Sequence, residues 1–157
     1  MTALIEFHDG RIDSGDGAVL AAAMRAEMRE LYDGLDIDSP DMPKAGPAQM
    51  NPPAGAFLVG YLDEIPVCCG GLKRLDQQAC EIKRMFVAPQ ARRRGVARAL
   101  LAAIEDRARE LGYKIARLDT GPRQPHARAL YEAQGYCSVE SFNGNPLAGM
   151  FFGEKAL

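Results

Sequence analysis

The run with the most chemical promise is Arg92-Arg93-Arg94-Gly95-Val96-Ala97. A strand candidate leads into it and a helix candidate leaves it. The first amides of a helix have no partner within the helix, and they point outward with the positive end of the macrodipole. Such an end holds a phosphate when the backbone can be reached. Gly95 and Ala97 keep side chains out of the way, and the arginines add planar forks that grip two phosphate oxygens at once. The chemistry expected here is binding of a phosphate-bearing cofactor. A solvated basic turn would carry the same residues, so the flanking elements must separate the two readings.

Periodicity supplies those elements. Ala97, Leu100, Leu101, Ile104, Ala108 and Leu111 repeat on one helical face, which predicts a helix over Arg94–Leu111 that stops at Gly112. The preceding strand, Ala79–Ala88, has a phase slip: Ile82 is even-numbered, while Met85 and Val87 are odd. A strand buried on one face does this through a bulge; burial on both faces would give the same pattern. Upstream, Leu4–Phe7 reads as a strand and Ala18–Tyr32 as a helix capped by Asp16. Leu35–Gly55, with Pro40, Pro43, Pro47, Pro52 and Pro53, reads as a lid or binding loop. Ala56–Leu62 and Ile65–Leu75 are strands that pair antiparallel with each other and with Ala79–Ala88. Downstream come a strand over Lys114–Asp119, a helix from Pro125 to Gln134, and strands over Tyr136–Ser141 and Ala148–Lys155. The sum is one mixed α+β domain over Met1–Leu157, with a central, mostly antiparallel sheet of six or seven strands flanked by helices. Within it, Glu81–Asp119 forms a strand–helix–strand unit that should place two strands in parallel.

The charge is unevenly spread. Met1–Glu64 holds 12 acidic and 4 basic residues, a net of −8, and the remainder carries +6. The basic excess suits a phosphate-rich cofactor better than nucleic acid, because the run is short and has only Phe86 as an interleaved aromatic. The acidic part raises the local concentration of cations, so a cationic ligand, such as an amine, is expected near Asp33, Asp36, Asp38 and Asp41. Charge that merely keeps a loop solvated would look the same. No apolar run is long enough to span a membrane, and the first residues lack the layout of a signal peptide, so a cytoplasmic protein is expected. The cysteines, Cys68, Cys69, Cys80 and Cys137, form no Cys-x-x-Cys pair, and only His8 and His126 could join them on a metal. No metal site is expected, and the thiols read as reduced and structural.

The segment from Arg92 resembles motif A of the GNAT acyl-CoA N-acyltransferase superfamily, Arg/Gln-x-x-Gly-x-Gly/Ala, here Arg92-x-x-Gly95-x-Ala97. Gln124-Pro-His-Ala-Arg-Ala-Leu-Tyr-Glu-Ala-Gln-Gly-Tyr136 is similar to the family's motif B, Asn-x-x-Ala-x-x-Leu-Tyr-Glu-x-x-Gly-Phe/Tyr, with Gln124 where the family has Asn. The two stand in the family's order and, with the strands before them, cover about half the chain, from Val67 to Tyr136. The resemblance implies a sheet that splays between its parallel strands and an acetyl-CoA co-substrate in the gap. It implies cofactor contacts from Met85, Phe86, Val87, Arg92, Arg93, Arg94, Gly95, Val96, Ala97, Arg98 and Gln124. It further implies Tyr131 as proton donor to the departing sulfur and Glu81 as general base. The expected reaction is transfer of an acetyl group to a primary amine, on a small molecule or a peptide, by direct attack in a ternary complex. A non-catalytic CoA-binding module of the same fold is the alternative. Neither nucleic acid nor membrane is expected as a partner, and a homodimer is left open.

Overall fold

The computed structural model describes residues 4–157. Its elements are β1 (Glu6–Asp9), α1 (Gly15–Leu31), β2 (Ala56–Leu62), β3 (Ile65–Arg74), β4 (Ala79–Val87), α2 (Val96–Glu110), β5 (Ile115–Thr120), α3 (Pro125–Ala133), β6 (Cys137–Ser138) and β7 (Phe151–Ala156). The strands form one seven-stranded sheet in the order β1-β2-β3-β4-β5-β7-β6. Every neighbouring pair is antiparallel except β4 and β5. The expected α+β sheet with one parallel pair is therefore present.

Alternation along the strands sorts the core into two layers. Ala56, Leu58, Cys68, Leu72, Cys80, Ile82, Ala116 and Leu118 face α2 and α3, packing on Leu100, Leu101, Ile104 and Tyr131. Phe57, Val59, Cys69 and Phe86 face the other way, onto Leu20 of α1 and Met50 of the long loop. Side chains one residue apart on a strand point to opposite faces, which is why adjacent Cys68 and Cys69 fall in different layers.

The phase slip in β4 is a bulge. Cys69 pairs with Phe86 and Gly71 with Lys83, so Gly70 alone faces both Arg84 and Met85. Arg84 takes φ 61°, a left-handed conformation uncommon for a residue with a side chain. A Cβ on Gly70 would come within 3.0 Å of Met85 Cγ and 2.9 Å of Ile104 Cδ1, so glycine is what lets the bulged strand cross here. Before the bulge, Cys80 and Ile82 face α2; after it, Met85 and Val87 do, and Phe86 faces α1.

The parallel pairing is short. Ala79–Glu81 pairs with Ile115–Arg117, and beyond that β4 and β5 have no paired residues. The two strands thus part where the bulge begins, which opens a gap at their carboxyl ends.

Four segments depart from the sequence reading. β1 lies two residues later than expected, at Glu6–Asp9, because its register follows β2, and Leu4 is left 90% exposed. α1 is capped at Ser14 rather than Asp16; the Asp16 carboxylate instead accepts a hydrogen bond from the Tyr61 hydroxyl at 2.6 Å. The strand expected over Tyr136–Ser141 shrinks to Cys137–Ser138, and the one expected from Ala148 starts at Phe151. The chain between them leaves the sheet and turns back toward the gap through side-chain-capped turns at Asn143 and Asn145.

Candidate active site

Two cavities open at the splay, and they share two lining residues, Met85 and Tyr131. One, of about 600 Å³, lies between the end of β4, the start of α2 and α3. The other, of about 110 Å³, lies on the α1 face of the sheet under the long loop.

The larger cavity gathers most of the expected cofactor residues: Met85, Phe86, Val87, Arg92, Arg93, Gly95, Val96, Ala97 and Arg98 line it. Gly95 caps α2 at φ 75°, and an added Cβ would meet nothing within 4 Å. The requirement for glycine is therefore the left-handed backbone, and the space before it stays free. The first bond of α2 runs from Ala99 N–H to Gly95 C=O at 3.1 Å, so the amides of Val96, Ala97 and Arg98 have no i−4 partner in the helix. Ala88 N–H donates to Val67 C=O of β3 at 2.8 Å. By alternation, Val87 and Met85 present their backbone groups to the opposite edge, where β5 has turned away. The cradle fits a phosphate-bearing, acyl-carrying ligand.

The arginines divide. Arg92 donates from Nε to Val87 C=O at 2.9 Å and from Nη2 to Glu27 at 2.6 Å, with its guanidinium 5.6 Å from the Phe86 ring centroid. It ties the turn to β4 and α1. Arg93 and Arg98 line the cavity, whereas Arg94 does not. Gln124 is also displaced from its expected place. It lines the smaller cavity, and its side-chain oxygen already accepts from the Tyr32 hydroxyl at 2.9 Å and Gly121 N–H at 3.3 Å. That oxygen ties the start of α3 to Tyr32, the C-cap of α1.

Tyr131 is buried on α3, with its hydroxyl 3.9 Å from Met85 Sδ. Burial, and after it the charge of Asp119, push its phenol well above the usual tyrosine range. It is protonated at any pH near neutral.

Glu81 sits differently from the sequence expectation. It is fully buried, lines neither cavity, and is held by Lys83 at 3.2 Å and Asn143 at 2.7 Å. Its other oxygen has no hydrogen-bond partner among the described residues and faces Lys73 at 3.8 Å. The carboxylate in the smaller cavity is Asp119, at the end of β5. Asp119 accepts from Asn143 at 2.8 Å and Asn145 at 3.3 Å, and lies 4.0 Å from Lys83. Glu81 and Lys83 are two apart on β4 and therefore share a face, and the ion pairs bring Asp119 to that face too. One signal could have found Asp119: ligands gather at the carboxyl ends of parallel strands, and Asp119 is next to the last residue of β5. Asn143 and Asn145 carry no such signal, since in sequence they are ordinary turn residues.

The acidic wall expected around the acceptor is absent from this cavity. Asp33 pairs with Arg123, Asp36 caps the backbone of Asp38, and Asp38 pairs with Arg84 and Arg25. None of the three, nor Asp41, lines it. The charges that do are Lys83, Arg84 and Asp119. The long loop is the cavity's outer wall, contributing Leu35, Ile37, Met42 and Pro43.

A profile of the Acetyltransferase (GNAT) family matches residues 21–136. An IAA acetyltransferase of Azospirillum brasilense is 42% identical over 119 residues, 74% of this chain and 69% of that one. In solved structures, a candidate acyl-CoA N-acyltransferase from Klebsiella pneumoniae superposes with a TM-score of 0.81 at 28% identity, covering 99% of both chains. A GNAT family acetyltransferase from Elizabethkingia anophelis, solved with acetyl-CoA bound, has the same fold at 18% identity, with a TM-score of 0.71 and 98% of both chains covered. Helix-start cradle, splayed strands and sequence match converge: the chain belongs to the GNAT family of acetyltransferases.

Proposed function

We propose that the protein transfers an acetyl group from acetyl-CoA to a primary amine by direct attack in a ternary complex. The observation that carries this reading is the meeting of two cavities at Met85 and Tyr131. The larger, with its helix-start cradle, takes the cofactor; the smaller takes the acceptor. An amine in the second cavity then faces a thioester in the first.

A covalent acetyl-enzyme finds no support in the side chains. Cys68, Cys69 and Cys80 are buried, and burial pushes their thiols up to about 12. A thiol held protonated is a poor nucleophile. No cysteine lines either cavity.

An alkylamine must lose a proton to attack, which at neutral pH costs roughly 4–5 kcal/mol for an amine of ordinary pKa. Asp119 is placed to take that proton. Lys83 and Arg84 beside it disfavour the ammonium form and so lower the cost. Glu81 serves as a positioning residue, holding Lys83 and Asn143 against Asp119. In this reading the amides of Met85 and Val87 donate to the thioester oxygen as it gains charge, a donation that can be worth about 3 kcal/mol. As the carbon–sulfur bond breaks, the Tyr131 hydroxyl supplies a proton to the leaving thiolate.

The test is thiol release from acetyl-CoA on addition of a primary amine, with the acetylated amine identified by mass spectrometry. Tight acetyl-CoA binding without turnover on a broad amine panel would favour the non-catalytic binding module instead.

A further inference from the structure

We propose that the acceptor is an amino acid, or a close analogue, with an apolar side chain, whose carboxylate is received by Arg84 and Lys83. This deepens the reading above by naming the substrate class, and it rests on that reading for the location of the acceptor.

The first observation is an orphaned donor. Arg84 lines the smaller cavity, and its side chain is only 8% exposed. Its Nη2 donates to Ile37 C=O and to Asp38, both at 3.0 Å, yet its Nε is buried with no partner among the described residues. Nε is enclosed and Nη2 already has two acceptors, so Nη1 is the guanidinium nitrogen left to meet a carboxylate in the cavity, through a charge-assisted bond. The bulge is what turns Arg84 to this position, through its positive φ.

The second observation is the charge balance. Lys73 and Lys83 face Glu81 and Asp119, two cations against two anions. Arg84 and Arg25 share the single carboxylate of Asp38. The cluster is balanced once Asp36, near Arg84, is counted, but the charges that line the cavity are Lys83, 9% exposed, and Arg84 against the one carboxylate of Asp119. A ligand carboxylate balances that lining. Asp119 on the same wall then takes the amino group, so the lining offers complementary charges to both ends of a zwitterion.

The third observation is the apolar part of the lining. Met24, Met28, Met42 and Met150 contribute to it, with Leu35 and Leu147. Methionine adapts its shape, so this part suits an apolar side chain without demanding one shape. A cationic amine without a carboxylate, expected from composition alone, would meet two cations and a thioether surface.

The test is calorimetric binding with CoA present, so no turnover is needed. Leucine, methionine and phenylalanine are compared with their carboxamides and with the decarboxylated amines. We expect the free amino acids to bind more tightly than either analogue by about tenfold or more, as befits a charge-assisted hydrogen bond. Arg84→Gln should collapse that ratio toward one, and Arg84→Lys should restore part of it. The melting temperature with CoA bound shows that each variant is folded, and Lys83→Met reports the same ratio independently of the bulge. Equal affinity for amino acid and decarboxylated amine overturns the inference, as does failure of the whole panel to bind. Acetyl transfer to an amine that shows no carboxylate preference would overturn it while leaving the transferase reading intact. Carboxylate-dependent binding without any acetylation would do the reverse.

Discussion

Glu81 and Asp119 are bound by one side-chain amide: Asn143 Nδ2 donates to Glu81 Oε2 at 2.7 Å and to Asp119 Oδ2 at 2.8 Å. Lys83 lies between the same carboxylates, at 3.2 and 4.0 Å. One carboxylate is enclosed and one faces the acceptor cavity. The pair spans β4 and β5 at the point where they part, so the amide also braces the splay.

Their substitutions should therefore behave differently. Asp119→Asn is expected to lower kcat about 10²-fold with little change in melting temperature, the range for removing a general base. Glu81→Gln leaves Lys73 and Lys83 short of a buried partner and should cost about 3 kcal/mol in stability, read from denaturant midpoints. If Glu81→Gln keeps its stability and loses more kcat than Asp119→Asn, Glu81 is the base and the assignment here is reversed.

Tyr131→Phe removes a hydroxyl that acts on the leaving sulfur. We expect kcat to fall about 10²-fold while KM for acetyl-CoA changes little, since the group acts in the transition state. Its raised pKa, from burial and then from Asp119, means it keeps its proton well into the alkaline range. The wild-type rate should show no loss from phenol ionisation up to about pH 10. A rate unchanged in Tyr131→Phe, with chemistry shown to be limiting, removes the tyrosine from the mechanism.

Gly95→Glu places a carboxylate before the free amides of α2 and a side chain at φ 75°. The affinity for acetyl-CoA should drop by about tenfold or more, from lost access and charge repulsion. Gly95→Ala should cost only about 1 kcal/mol of stability, the strain of a left-handed residue. Wild-type affinity in Gly95→Glu, measured by calorimetry, would sink the cradle.

The sequence showed the cradle because its signal is local: strand, basic turn, glycine and helix follow one another in the chain. The bulge was legible for a similar reason, since Ile82 and Met85 break the two-residue period within four positions. The acceptor side was not legible. It is assembled from α1, the long loop, β4, β5 and the turn at Asn143, and no short-range pattern records which of these meet. Composition misled there: Asp33, Asp36 and Asp38 read as an acidic wall, but Asp36 caps its own turn and Asp33 and Asp38 are taken by arginines far away in sequence, Arg123 and Arg84. What remains to line the cavity is set by Arg84, whose orientation depends on a left-handed backbone.

The thiols give a pH test of the core. Cys68, Cys69 and Cys80 are pushed by burial from the usual 9.0 up to about 12, whereas Cys137 is exposed. Above the usual thiol pKa the unfolded chain sheds protons that the native chain keeps, so stability should fall as pH rises from about 9 toward 12. Denaturant midpoints at about pH 8 and about pH 10 measure this, and Cys69→Ala with Cys80→Ala should flatten the slope. In the native protein a thiol reagent should modify Cys137 quickly and the other three only on unfolding. Rapid modification of all four at neutral pH would contradict the burial.

The central claim is that both substrates are bound together across the junction at Met85 and Tyr131. Initial rates measured against acetyl-CoA at several fixed acceptor concentrations test it most directly. Attack within a ternary complex gives double-reciprocal lines that intersect. Parallel lines, with an acetylated protein trapped when the acceptor is withheld, would contradict it.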